Sequence, residues 1–499
     1  MRVSRWWPVV VWLSISTACP AIDVSLPTPM DRFYFPAALA HVDAADGGDG
    51  VLLVTSANFD KRFSSGAMVA VNLDTLPTRL PAFGANPPSP VQVPLLRGPG
   101  QGGPQGDGGF ADSVLIAPFA GQMAVLPLGA GRFRAYVATR SEFQRVHGVD
   151  LEVAADGALS LSCFNGDGGR NCGEAATSLT QFEQTTMSGL PRAPGVFGVA
   201  LRARACSTSV DCGSPETEYS CVASRCVSTP TDGGRQEPAS DVLVTHIAQA
   251  DSPLGSGTNL RGYLVRLPSE SLAVSQERFL DLGPGATHAV AVGSRWNFVS
   301  GRFLNPSGNL IRLVDASSGQ FLSSGLESTF RVAEARGIAL SSDERRVYLI
   351  GRNPDALLVA GVDDPTGPAP RLQVVRGNPL PAGPNELAVL SRPGRGDLLA
   401  ITCTTAGVLA LYDDEVGEVA AEVPGVGVQP FGLTVDRRGK GARLFVSNFQ
   451  DGRVAVIDVV DLDQPRNARL VAHLGQQQLC LVRPSDPSCG DGGVLDGGM

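Results

Sequence analysis

Four stretches in the C-terminal half of this chain are rough copies of one another: 296–302 (WNFVSGR), 347–352 (VYLIGR), 397–403 (DLLAITC) and 443–449 (RLFVSNF). A short apolar run containing a small residue precedes each: HAVAV at His288, GIALS at Gly337, ELAVL at Glu386 and FGLTV at Phe431. A turn and a third apolar run follow, closing on Asp315, Asp363, Asp413 and Asp458. Three weaker copies lie upstream, with second strands near Val51, Ala135 and Asp241. A strand–turn–strand–turn–strand unit recurring about every 50 residues cannot bury its own apolar faces and must stack on its copies, which predicts a β-propeller. Both faces of the second strands are apolar or small, as radial sheets packed face to face require. Seven units predict seven blades. The chain is therefore expected to be all-β, a seven-bladed β-propeller with a small disulfide-rich insertion.

The last four units are evenly spaced, and insertions widen the earlier gaps. Segment 77–109 is rich in Pro and Gly and reads as a surface loop; 156–194 carries Cys163 and Cys172. Segment 202–240 interrupts blade three between its first and second strands, and its cysteine-rich module spans 203–238. The propeller itself is assigned to 20–484, with a low-complexity tail at 485–499. A strand near 23–26 is a candidate to complete the last blade.

Composition narrows the function classes. Net charge is −9 and only Lys61 and Lys440 are lysines, with no basic run or stripe. Nucleic acid is therefore not an expected partner. Residues 1–19 read as an export signal: Arg2 and Arg5, an apolar stretch from Trp6 to Ile15 too short to span a membrane, then small residues before Cys19. Ser16-Thr17-Ala18-Cys19 resembles a bacterial lipobox, although Leu is usual where Ser16 stands. Lipidation of Cys19 would be the membrane attachment; the alternative is plain cleavage after Ala18. Eight cysteines fall into even local groups: Cys163 with Cys172, then Cys206, Cys212, Cys221 and Cys226, and finally Cys480 with Cys489. Such grouping reads as a disulfide framework in an oxidising compartment. The C-x5-C-x8-C-x4-C spacing does not match zinc-binding pairs. Cys403 sits inside an apolar strand and reads as a buried thiol.

PFGLTVDRRGKGARLFVSNFQDGRVAVID (430–458) and ARGIALSSDERRVYLIGRNPDALLVAGVD (335–363) resemble the YVTN repeat of lactonase-like seven-bladed propellers. Blades four and six match less closely, and the first three poorly. The resemblance implies the fold and, among activities, a lactonase-like or quinoprotein-like enzyme. Propellers host unrelated functions, so the site must decide.

No G-x-S-x-G elbow, H-E-x-x-H or Walker loop is present, and no cofactor or metal set is read from the sequence. The Asp/Gly clusters at 43–49 and 165–167 lack calcium-loop spacing and read as turns. One constellation stands out. Aligning the first strands places His288, Arg336, Asn385 and Phe431 at equivalent positions, with Glu386 one residue on. First strands are innermost, so His288, Arg336, Asn385 and Glu386 are expected to line the channel mouth as a ligand-binding set. The inner strands are otherwise mostly Ala, Gly, Val and Leu, poor in the acids, bases and ligands of an enzyme. The sequence thus favours a non-enzymatic binding or scaffold protein, exported and lipid-anchored in the cell envelope or secreted, monomeric, with an envelope protein or glycan as partner. The alternative is a lactonase-like hydrolase or quinoprotein-like oxidoreductase.

Overall fold

In the computed structural model, the described residues are 27–29, 32–44, 47–60, 63–94, 110–140, 144–154, 156–165, 169–179, 195–206, 219–228, 237–250, 259–302 and 309–477. Seven antiparallel sheets follow one another along the chain, and a separate two-stranded hairpin lies within the third repeat. The innermost strands are Pro36–Val42, Ala120–Gly129, Gly195–Ala203, Thr287–Val292, Glu334–Leu340, Pro384–Leu390 and Pro430–Arg438. Their hydrogen-bonded second strands are Val51–Ser56, Arg132–Thr139, Ser240–Ala250, Trp296–Gly301, Arg346–Arg352, Leu398–Cys403 and Gly441–Asn448. The chain is an all-β, seven-bladed propeller, as the repeat predicts.

The second strands of blades one, four, six and seven are buried along their whole length. Side chains alternate across a strand, so burial of every position means both faces pack on neighbours. The core accordingly lies between blades. Leu52, Val54 and Val71 of blade one, for example, pack with Phe445, Val454 and Val456 of blade seven. Outer strands are different: in blade four, Phe321–Ser323 is exposed throughout. Two of the aspartates that close third strands serve turns. Asp315 accepts from the Ser317 and Ser318 amides, and Asp413 from those of Glu415 and Val416.

The ring closes in a way the sequence reading did not foresee. Blade seven consists of four C-terminal strands, and Val91–Val93 joins it in parallel beyond Arg469–Leu474. Those three residues belong to the insertion read as a surface loop; the candidate strand at 23–26 lies outside the described residues. Arg443 explains the docking. Its guanidinium, fully buried, grips Asp458 at 2.7 and 3.0 Å and donates to the Pro81 carbonyl at 2.8 Å. Asp458 in turn accepts the Gly84 amide at 3.0 Å. A buried ion pair is costly to form but holds geometry when its atoms find further partners, here the Pro81 carbonyl and the Gly84 amide.

Candidate functional site

Every innermost strand carries a bulge at the same place. Pairing with the second strand jumps between Pro36 and Leu39, Ala120 and Met123, Val196 and Val199, Thr287 and Val290, Ala335 and Ile338, Pro384 and Leu387, and Pro430 and Leu433. An extra residue on the inner strand kinks it and re-aims its side chains. The first skipped positions are Ala37, Gly121, Phe197, His288, Arg336, Asn385 and Phe431. His288, Arg336, Asn385 and Phe431 are therefore structural equivalents, and Glu386 follows Asn385 within the same bulge.

The backbone is crowded here. A Cβ added at Gly198 would lie 2.6 Å from the His288 carbonyl oxygen, and one at Gly432 would lie 2.0 Å from that of Ala37. Hydroxyls from the second strands fix the kinks. Thr245 accepts the Gly198 amide and donates to the His288 carbonyl, both at 2.7 Å. Ser300 does the same between Ala289 and Arg336, at 3.0 and 2.7 Å.

Three residues not singled out from sequence complete the site. Arg140, Arg302 and Arg352 each stand one residue beyond the second-strand partner of the bulge, in blades two, four and five. The signal was present: the strings AYVATR, WNFVSGR and VYLIGR all end in arginine. Together with Arg336 they place four guanidinium groups near His288. Glu334 holds Arg336 at 2.9 Å and Arg302 at 3.4 Å. Arg352 is occupied by backbone, donating to the Pro384 and Gly383 carbonyls at 2.6 and 3.0 Å. The guanidinium of Arg140 lies 4.7 Å from the Phe197 ring centre and that of Arg302 lies 3.9 Å from it, so both cations pack on one ring. Among the described residues these buried nitrogens have no hydrogen-bond partners: Nε of Arg140, Nε of Arg336 and Nδ1 of His288.

The electrostatics follow from this crowding. Burial, then the charge of Arg336, lowers the Arg140 pKa to about 10. Burial, Arg336 and Arg140 lower Arg302 to about 9, against the pull of Glu334. Guanidinium stays protonated at neutral pH in either case, so the shifts register burial first and the neighbouring positive charge second. His288 is driven well below its ordinary value by burial and then by the four arginines, so it is neutral. Glu386 is pushed up to about 7 by burial. Its Oε1 accepts from Gln122 Nε2 of blade two at 3.4 Å. Blades two and six face each other across the ring, so this contact spans the channel one residue deeper than the His288 level and gives the mouth a floor. The arrangement can hold an oxyanion by charge-assisted hydrogen bonds.

The other sequence-derived positions lie elsewhere. Cys163 bonds Cys172, and Cys206 bonds Cys221. Cys226 is disulfide-bonded as well, and Cys403 is a buried thiol. Cys19, Cys212, Cys480 and Cys489 lie outside the described residues. The hairpin of Tyr219–Val222 and Arg225–Ser228 follows the end of the Gly195–Ala203 strand remote from Phe197, on the face away from the arginines. His41, Asp43 and Asp436 converge at the seam of blades one and seven. Asp436 is held by Arg438 at 2.6 Å, and His41 Nε2 lies 2.8 Å from the Asp49 carbonyl, so the group is an ion-pair network.

The disulfides fit an exported protein. Among the described residues no helix is long and apolar enough to cross a membrane. No family model matches the sequence, and no curated protein does. Solved structures of similar fold include the periplasmic gluconolactonase of Pseudomonas aeruginosa, 16% identical over 78% of this chain and 84% of that one, with a TM-score of 0.41. A putative 6-phosphogluconolactonase from Bacteroides uniformis is 14% identical over 78% and 83%, with a TM-score of 0.38. Hydrazine synthase of Kuenenia stuttgartiensis is 12% identical over 87% and 98%, with a TM-score of 0.44. At such identities the likeness extends to the propeller fold alone.

Proposed function

We propose that the protein is an exported binding propeller, anchored to the envelope through lipidated Cys19, whose channel mouth captures a small anionic ligand. The observation that supports this best is the guanidinium of Arg140, which makes no hydrogen bond or ion pair among the described residues while sharing the Phe197 ring with Arg302. Glu334 and, towards Arg352, Asp355 offset only part of the charge of four arginines. A carboxylate or phosphate would supply the missing acceptors, with Arg336 and neutral His288 completing its shell. Asn385 and Glu386 line the same mouth. The disulfide-stapled hairpin on the opposite face would meet an envelope protein or glycan. Calorimetric titration with inorganic phosphate and with citrate tests the anion site: binding should weaken at least tenfold in Arg336→Ala. Equal binding by wild type and Arg336→Ala would refute it.

A lactonase-like reading has one observation in its favour, the Glu386 carboxyl poised near neutrality on the floor of the mouth. A lactone screen of the purified protein, with and without divalent metals, separates the two. Turnover lost in His288→Ala would favour the enzyme.

A further inference from the structure

The arginines occupy only one side of the mouth. On the other side, blades seven, one and two present an unbroken arc of phenyl rings. Phe431, the blade-seven equivalent of His288 and Arg336, lies 5.3 Å from Phe449 between ring centres. Phe449 stands at the position where blades two, four and five have Arg140, Arg302 and Arg352. Phe59 packs against Phe449 at 5.3 Å and against Phe119 at 5.7 Å, and Phe35 fills the space behind at 5.2 Å from Phe449. Phe59 is 53% exposed, so the arc has an open face.

The two sides meet in blade two. The Arg140 amide donates to the Phe119 carbonyl at 3.1 Å, so the residue carrying the first cation and the residue carrying the last ring of the arc are paired through their backbones. From Phe431 round to Arg352 the mouth thus changes from apolar to cationic with no gap, and Gln122 and Glu386 close it below.

Backbone conformation is a separate indication that these rings are wanted where they are. Phe35 and Phe119 immediately precede inner strands with φ of 51° and 61°. At the same point blades three and six use Gly195 and Gly383, with φ of 116° and 74°. Left-handed backbone costs a bulky residue about 1–2 kcal/mol that glycine avoids. An aromatic in that conformation is therefore held against a local preference, at the rim of an open site.

We infer that the ligand is an amphipathic anion, an oxyanion head gripped by Arg140, Arg302 and Arg336 with an aryl or alkyl body lying on Phe59, Phe449 and Phe431. This rests on the anion-binding reading above and adds the chemical class. A head alone would leave the exposed rings wet, and a neutral apolar molecule would give the Arg140 guanidinium no acceptor. An apolar body spanning about 100 Å² of ring surface raises affinity roughly tenfold or more over the head alone.

The test compares phenyl phosphate, inorganic phosphate and phenol by calorimetry on the intact chain. Phenyl phosphate should bind about tenfold tighter than inorganic phosphate, and phenol should not bind measurably. Phe59→Ala, a substitution at an exposed ring that leaves the core intact, should bring phenyl phosphate close to inorganic phosphate without changing the latter. Arg140→Ala should weaken both phosphates alike. Equal binding of the two phosphates, or phenyl phosphate indifferent to Phe59→Ala, overturns the amphipathic inference and leaves the anion site standing. Failure of both phosphates to bind overturns the two together.

Discussion

Ser447 Oγ donates to the Ala37 carbonyl at 2.7 Å across 410 positions of chain, while accepting the Gly432 amide at 2.8 Å. One hydroxyl thus ties the kink of the last blade to the kink of the first. Thr245, Ser300 and Thr402 repeat the device towards His288, Arg336 and Phe431. In blades two and five the equivalent residues are Ala138 and Ile350, which cannot.

Removing such a hydroxyl leaves a buried amide and carbonyl without partners. Ser447→Ala is expected to lower stability by about 1–3 kcal/mol, read from chemical denaturation. Ser300→Ala should cost a similar amount and also loosen Arg336. A loss of anion affinity in Ser300→Ala, absent from Ser447→Ala, would distinguish positioning from plain stabilisation.

The Arg443–Asp458 pair supports a larger effect. Arg443→Ala strands a fully buried carboxylate and should cost about 3–5 kcal/mol. Segment 77–94 should then become accessible to protease. Unchanged proteolysis of that segment would contradict the role given to Arg443 in docking it.

Glu386 provides a pH signature with a defined sign. Its folded-state pKa, about 7, exceeds the unfolded value near 4.5, so the folded protein binds more protons between them. The associated stability is full below pH ~4.5 and falls as pH rises through 7, by about 2 kcal/mol at most for a group that retains some contact with water. Glu386→Gln should flatten this slope. Ionising Glu386 also adds a negative charge to the floor of the mouth, so anion affinity should drop from pH 6 to pH 8 in wild type and drop less in Glu386→Gln. Identical profiles would exclude Glu386 as the titrating group.

At the amino terminus, Cys19→Ser should release the protein from the membrane fraction, with mass spectrometry of wild type showing a lipid adduct on Cys19. An unlipidated, soluble wild type would rule out the anchor. Non-reducing peptide mapping should recover Cys206 linked to Cys221 and Cys163 linked to Cys172.

The propeller was legible because its period is carried by strand patterning, which survives where individual residues drift. Equivalence of His288, Arg336, Asn385 and Phe431 was legible for the same reason. The second-strand arginines were overlooked because each sits alone at the end of its string, and only the bulge turns three strand ends towards one point. The phenyl arc was hidden further, since Phe59, Phe119, Phe431 and Phe449 come from three blades and two of them stand in turns. The strand Val91–Val93 was not legible because it is too short to announce itself among prolines, and its partner lies in the last strand of the last blade.

The pairing of Val91–Val93 with Arg469–Leu474 bears on the order of events during synthesis. The earlier strand leaves the ribosome before nearly every other blade exists, and it must wait for the final one. Until then the first blade's inter-blade apolar face, with Leu52, Val54 and Val71, has no Phe445 or Val456 to cover it. A nascent chain of this design is sealed only when its last blade forms, because Phe445, Val454 and Val456 are the residues that cover blade one and Arg469–Leu474 is the strand that receives Val91–Val93.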